Sequence, residues 1–238
     1  MPIGPGQLKH CEAPGGLRYW TIDDLVPRPG DVYQERLYCI RWIDAEGKRR
    51  YAAPDAADLV REARVLELLR ERFAKWQLEG FIPSKAIPEG GDKTEEPTRT
   101  RGWTHWHHLF TPRQLLMHGL LGESMTTDVR DLEVARMLAT GRLANWNSRL
   151  TGWSPAKGDE KGNQVFNNQA LNTLSNYSTR PLLKLDTTWL LFARGFTETP
   201  FKSGDVLTGD ARDLLVERDI WITDPPYADA VKYHELGD

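Results

Sequence analysis

Two short runs near the end of the chain carry the residue types that chemistry needs. They are Asp205-Val206-Leu207-Thr208-Gly209-Asp210-Ala211 and Asp219-Ile220-Trp221-Ile222-Thr223-Asp224-Pro225-Pro226-Tyr227. Each reads as a brief apolar strand ending on an acid, and acids at two strand ends of an open α/β sheet can face one crevice. Pro225 and Pro226 can neither donate to a strand ladder nor continue a helix, so the second run leaves its strand as a rigid shelf. Tyr227 sets an aromatic face at the edge of that shelf. A planar base with an exocyclic amino group needs this set. The Asp224 carboxylate and the Pro225 carbonyl accept its two amino protons, and Tyr227 stacks on its ring. Drawing on both protons leaves the amine lone pair available to attack an electrophilic methyl group. The competing reading is purely structural, a proline-rich turn closed by a buried Tyr227.

Asp224-Pro225-Pro226-Tyr227 resembles the motif of amino-methyltransferases that act on adenine N6 or cytosine N4, and its aspartate form is most similar to the adenine enzymes. The resemblance implies catalytic roles for these four residues and S-adenosyl-L-methionine as cofactor. Gly209-Asp210-Ala211 is similar to the segment that lies beside the cofactor's adenine in that fold, which makes Asp210 and Ala211 the expected cofactor contacts. Asp210 also suits the N-cap of a short helix through Leu214 and Leu215, and the two roles are compatible.

The elements that must position these residues follow in order. Residues 1 to about 30 are rich in Pro and Gly and read as an irregular lead-in. Leu37 to Trp42, the turn Asp44-Ala45-Glu46-Gly47 and Lys48 to Tyr51 predict a β-hairpin with Tyr38, Ile40 and Trp42 on one face. Pro54-Asp55 opens a helix to about Leu78, with Leu59, Ala63, Leu66, Leu69, Phe73 and Trp76 at helical spacing, and Gly80 ends it. Its mixed-charge face, Arg61 to Arg72, reads as solvated. Phe81 to Arg101 reads as a Pro/Gly-rich loop or linker.

Thr98-Arg99-Thr100-Arg101-Gly102 then leads into Trp103-Thr104-His105-Trp106-His107-His108-Leu109-Phe110. Three histidines in four residues suggest a metal, but their spacing does not converge them on one ion and no second ligand cluster exists, so none is expected. A loop packed by Trp103, Trp106 and Phe110 is the expected state. Arg99, Arg101, Trp103 and Arg113 are the candidate nucleic-acid contacts, as arginines and an aromatic able to meet phosphates or stack bases. Thr111-Pro112-Arg113-Gln114 predicts a capped helix start, with Leu115, Leu116, Met117, Leu120 and Leu121 apolar. A second helix is expected from about Thr127 to Thr140 and a shorter one from Leu143 to Leu150. Thr151 to Tyr177 is polar and Asn-rich and reads as a long loop.

The net charge of −3 gives no global pull toward nucleic acid, so any such surface must be local. Cys11 and Cys39 lack metal-ligand spacing and suggest no disulfide framework. No run approaches membrane-spanning length and no leader pattern opens the chain, so a soluble cytoplasmic protein is expected.

A wider resemblance covers roughly residues 35–238. The run Gly102 to Leu115 resembles a segment of large bacterial and archaeal adenine-specific DNA methylases, a group described as zinc-ribbon-containing. Phe81-Ile82-Pro83, Ile87-Pro88 with Gly90, and Asp92-Lys93-Thr94 are similar to the stretch upstream, and Asp224 to Tyr233 to the catalytic loop. The resemblance implies DNA as partner, a role such as restriction–modification, and an α/β fold. That fold has a partial Rossmann-like sheet over 186–238, preceded by a hairpin and linker region over 1–105, itself a possible DNA-contacting segment. A helical segment with its polar loop covers 106–185. The family's glycine loop for the methionine end of the cofactor and its zinc-ribbon cysteines are not in this sequence. The expectation is therefore the middle part of a larger enzyme, completed by flanking segments or a second chain. Two other readings stand beside it: methylation of an RNA base or a protein glutamine amide, and a non-catalytic nucleic-acid-binding or interaction segment.

Overall fold

The computed structural model describes residues 16–91, 94–126, 130–154, 161–162, 164–165, 209–213 and 220–223. Two compact units divide the chain, 1–193 and 194–238. The first contains a hairpin of β1 (Ile40–Ile43) and β2 (Arg49–Ala52), then α1 (Ala56–Leu78), α2 (Glu96–Arg101), a 3-10 turn (Trp106–Leu109), α3 (Pro112–Ser124) and α4 (Arg130–Trp146). A second small antiparallel pair follows, β3 (Trp153–Ser154) with β4 (Lys161–Gly162).

Local chemistry accounts for the helix starts. Asp55 accepts from Asp58 N and the Asp58 carboxylate accepts from Asp55 N, a reciprocal cap that satisfies two orphan donors of α1. Thr111 and Gln114 do the same for α3, with Pro112 in its first turn. Gly80, at φ 74°, provides the left-handed exit from α1. Pro97 lies at the start of α2, where its missing N–H costs nothing. The stretch 96–101, read from the sequence as linker, is thus helical because its proline opens a helix rather than breaking one. The two helices expected between 127 and 150 are one helix, α4, over its described span: Gly141 lies inside it without interrupting it.

The core forms where α1 meets α3. Leu69, Phe73 and Trp76 of α1 and Leu115 of α3 are buried with Leu25 and Ile82. Val65 is also buried, whereas Leu59, expected on this face, is exposed, because the buried face runs through Asp58, Val65 and Leu69 and Leu59 lies one position round from it. Gly119 and Gly122 are buried on α3 where Leu120 is exposed. The two helices approach so closely that a Cβ built on Gly119 would overlap the Trp76 indole, and one on Gly122 would lie 2.9 Å from Phe81. A second cluster, Trp20, Trp103 and Leu109, is flanked by Trp106, Phe110 and Leu150.

The second unit is described over residues 209–213 and 220–223, and there the parallel, Rossmann-like sheet expected over 186–238 is not seen. Gly209–Asp213 turns through a 3-10 helix at Ala211–Asp213, and Ile220–Thr223 has no regular structure. Apolar content makes a run eligible for a strand, but pairing makes the strand. Ile220, Trp221 and Ile222 are 77%, 55% and 93% exposed and have no strand beside them among the described residues.

Two glycine-to-alanine substitutions test the packing with opposite signs. Gly141→Ala, in open space within α4, should stabilise the protein by up to about 1 kcal/mol through helix propensity. Gly119→Ala gains the same propensity but must displace Trp76, and should destabilise by about 1–3 kcal/mol in urea unfolding.

Candidate functional site

The residues expected to contact nucleic acid fall in the best-ordered chemistry of the first unit. At its centre is Arg149, whose side chain is 1% exposed. Its Nε and Nη2 donate to the two carboxylate oxygens of Glu35, the latter at 2.8 Å. Nη1 donates to the carbonyls of His108, at 2.7 Å, and Phe110, and Nη2 also reaches Leu25 O at 3.4 Å. The guanidinium stacks over Trp20 and Trp103 at 5.7 and 5.5 Å from their ring centroids. All three of its nitrogens are engaged, so Arg149 is a structural clamp rather than a group held ready for a ligand.

Trp103 belongs to this cluster and is 7% exposed. Arg101 is 8% exposed, lies 4.6 Å from the centroid of Tyr33 and donates to Thr100 O. Burial pushes its pKa down, against the pull of Tyr33 and Glu96. As folded, both side chains are largely covered, and they share a small cavity with Arg18, Tyr33 and Glu35. Gly102 explains part of this. It sits at φ 74°, and a Cβ there would overlap the Arg18 carbonyl oxygen, so the lead-in passes directly over the α2 exit. Arg113, half-exposed, pairs with Glu62 of α1 (Nε to Oε1 2.9 Å) and ties α3 to α1. Arg99 is exposed on α2.

The histidines take their state from the same packing. His108 Nδ1 faces the backbone N–H groups of Thr104 and His105 at 3.1 and 3.2 Å, which makes it an acceptor. Nε2 therefore carries the proton and donates to Thr21 O at 3.0 Å. Burial, with His107, His105 and Arg149 adding repulsion, pushes His108 down to about 3. Burial likewise lowers His107 and His118 to about 4. Among the described residues no three His, Cys, Asp or Glu side chains are arranged to hold a metal ion.

The lead-in is fixed by a second charged knot that spacing alone did not reveal. Asp24 is buried and accepts from Arg18, Arg28, Thr21 N and Thr21 Oγ1. Burial opposes its ionisation, but these bonds outweigh it and hold the carboxyl at about 2. Arg18 also bonds both oxygens of Asp31 at 2.8 Å.

In the second unit, Asp210 accepts from Arg212 N at 2.9 Å and from the Arg212 guanidinium, which holds its pKa below the usual carboxylate range. It caps the 3-10 turn Ala211–Asp213, and the continuation through Leu214 and Leu215 expected from the sequence lies outside the described residues. Asp224, Pro225, Pro226 and Tyr227 lie outside the described residues. No family model, curated protein or solved structure matches this chain. Among the described residues no helix is long and apolar enough to cross a membrane.

Removing one partner of the clamp leaves a buried charge or buried carbonyls uncompensated. Arg149→Leu should lower unfolding free energy by about 3–5 kcal/mol. Arg149→Lys should recover little, because one ammonium cannot reproduce the fork and the carbonyl contacts.

The buried histidines set a separate acid limit. Each is neutral in the folded state with a pKa below that of the unfolded chain, so the unfolded state takes up protons first as pH falls. Stability from these groups is complete above a pH of about 6.5 and is lost as pH falls toward 4. Asp24, at about 2, adds a later loss below a pH of about 4. Thermal unfolding from pH 7.5 to 4.5 should show the first loss, and His118→Leu should make it shallower.

Proposed function

We propose that this protein is a site-specific DNA-methyltransferase that transfers the methyl group of S-adenosyl-L-methionine to N6 of adenine. The observation that carries the reading is the order Ile220-Trp221-Ile222-Thr223-Asp224-Pro225-Pro226-Tyr227, an apolar lead followed at once by a carboxylate, two prolines and an aromatic ring. Asp224 and the Pro225 carbonyl accept the two amino protons, Pro226 holds the backbone rigid, and Tyr227 stacks the extruded base. Asp210 and Ala211 would meet the cofactor's adenine from the preceding turn, and the methionine end, whose glycine loop is not in this sequence, would be held by residues from flanking segments or a second chain. For Asp210 this requires its carboxylate to exchange the Arg212 guanidinium for the cofactor. That guanidinium is 88% exposed, so the exchange is between solvated groups.

The chemistry needs no protein nucleophile. S-adenosyl-L-methionine would supply an electrophilic methyl group, and Asp224 and the Pro225 carbonyl would hold the base amine by its protons so that its lone pair is available. The chain's residues orient the amine, raise the availability of its lone pair and exclude water.

Labelled methyl transfer to adenine-containing DNA by the full-length protein tests the assignment. Asp224→Ala should abolish transfer while leaving DNA affinity largely intact. Tyr227→Ala should lose about 1–3 kcal/mol of base affinity and Tyr227→Phe much less, since the ring face remains. Full activity of Asp224→Ala would overturn the assignment.

A further inference from the structure

Arg101, which is kept inside the fold, has exposed counterparts on the β1–β2 hairpin. Between Ile40 and Ala52 the sequence places Arg41, Lys48, Arg49 and Arg50 against two acids, Asp44 and Glu46, in a chain whose net charge is negative. Both acids are in the turn, and Asp44 is engaged there, accepting from Lys48 N at 2.6 Å. Pairing is antiparallel, with Trp42 opposite Arg50 and Ile40 opposite Ala52 on one face. On the other, Arg41 is opposite Tyr51 and Ile43 opposite Arg49. This second face is covered in part by Trp153, which lies 5.2 Å from Arg41 and meets Tyr51 edge-on.

The first face is different. Arg50 lies over the Trp42 ring at 5.6 Å, and Trp42 remains 38% exposed. Lys48, Arg49 and Arg50 are exposed, and no acidic side chain among the described residues pairs with Arg49 or Arg50. An indole with a guanidinium on its face and Lys48 at the turn end of the same face is a surface for an unpaired base and a flanking phosphate, while Arg49 belongs to the opposite face.

We propose that the β1–β2 hairpin binds single-stranded nucleic acid through its first face, with a base stacked on the Trp42–Arg50 pair and a flanking phosphate on Lys48. Charge complementarity selects a polyanion, and the exposed indole selects unpaired bases over a duplex, whose bases are already stacked. The proposal shares a class of partner with the methyltransferase reading but uses neither Asp224 nor the cofactor.

Anisotropy of labelled 12-mers tests it on the whole chain without cofactor, using oligo-dT, oligo-rU and a DNA duplex. Single strands should bind more tightly than the duplex, and the dT and rU arms tell whether the sugar matters. Trp42→Ala should weaken single-strand binding about tenfold, and Trp42→Phe should restore most of it. Lys48→Ala should flatten the slope of log affinity against log salt by about 0.7, and Arg49→Ala, on the opposite face, should change it much less. Circular dichroism of each variant confirms that the hairpin is retained. Binding unchanged by Trp42→Ala, a preference for duplex, or no binding at low salt would each overturn the proposal. Because no methyl transfer is read, its failure is distinct from failure of the Asp224 assignment, which Asp224→Ala probes without touching this surface.

Discussion

A guanidinium taken out of water carries a solvation cost of several kcal/mol, and the first unit is arranged around meeting it. Arg149 draws one carboxylate from the lead-in, one carbonyl from the lead-in and two from the segment between α2 and α3. Its own backbone N–H bonds Leu109 O at 2.7 Å. The clamp therefore joins three stretches with no strand or helix in common. Trp20 and Trp103 complete it by covering the cation with aromatic surface, which also explains why a tryptophan-rich chain spends two of its indoles here. The charge then shapes its neighbours. Burial keeps His107 and His108 neutral, with a small added repulsion from Arg149, and His108 serves as a hydrogen-bonding part of the scaffold.

How much of this could be read from residues alone depended on how local the cause was. The hairpin turn, the caps at Asp55 and Thr111 and the exit at Gly80 rest on neighbours within a few positions, and each was legible. Pro97 and Gly141 were legible only as residue types. Whether they break or open a helix depends on where in the turn they fall. Arg149 gave no signal, because Glu35 is 114 residues away and nothing near position 149 marks it.

The segment around Trp103 shows why composition misleads. Arginine beside tryptophan is equally the signature of a nucleic-acid surface and of a buried cation–π core, and periodicity does not separate them. Burial does. It places Arg101 and Trp103 inside, while the same two residue types on β1 and β2 remain at the surface. The C-terminal runs gave the reverse difficulty: Ile220 to Ile222 has a strand's composition, but a strand's pairing partners cannot be read from the strand itself.

The reach of the Glu35–Arg149 clamp has a consequence for how the chain is made. A ribosome releases residue 35 long before residue 149, and the helical pair α1–α3 can close in between, since its contacts span shorter separations. The lead-in meanwhile has Trp20 and Asp24 but not the cation that holds Glu35. The locking of Glu35, unlike the earlier docking of Thr21 and Leu25, is thus a late event of synthesis. Until then the newborn chain leaves this segment, with Trp20 its one indole, incompletely covered, an exposure of the kind that chaperones meet.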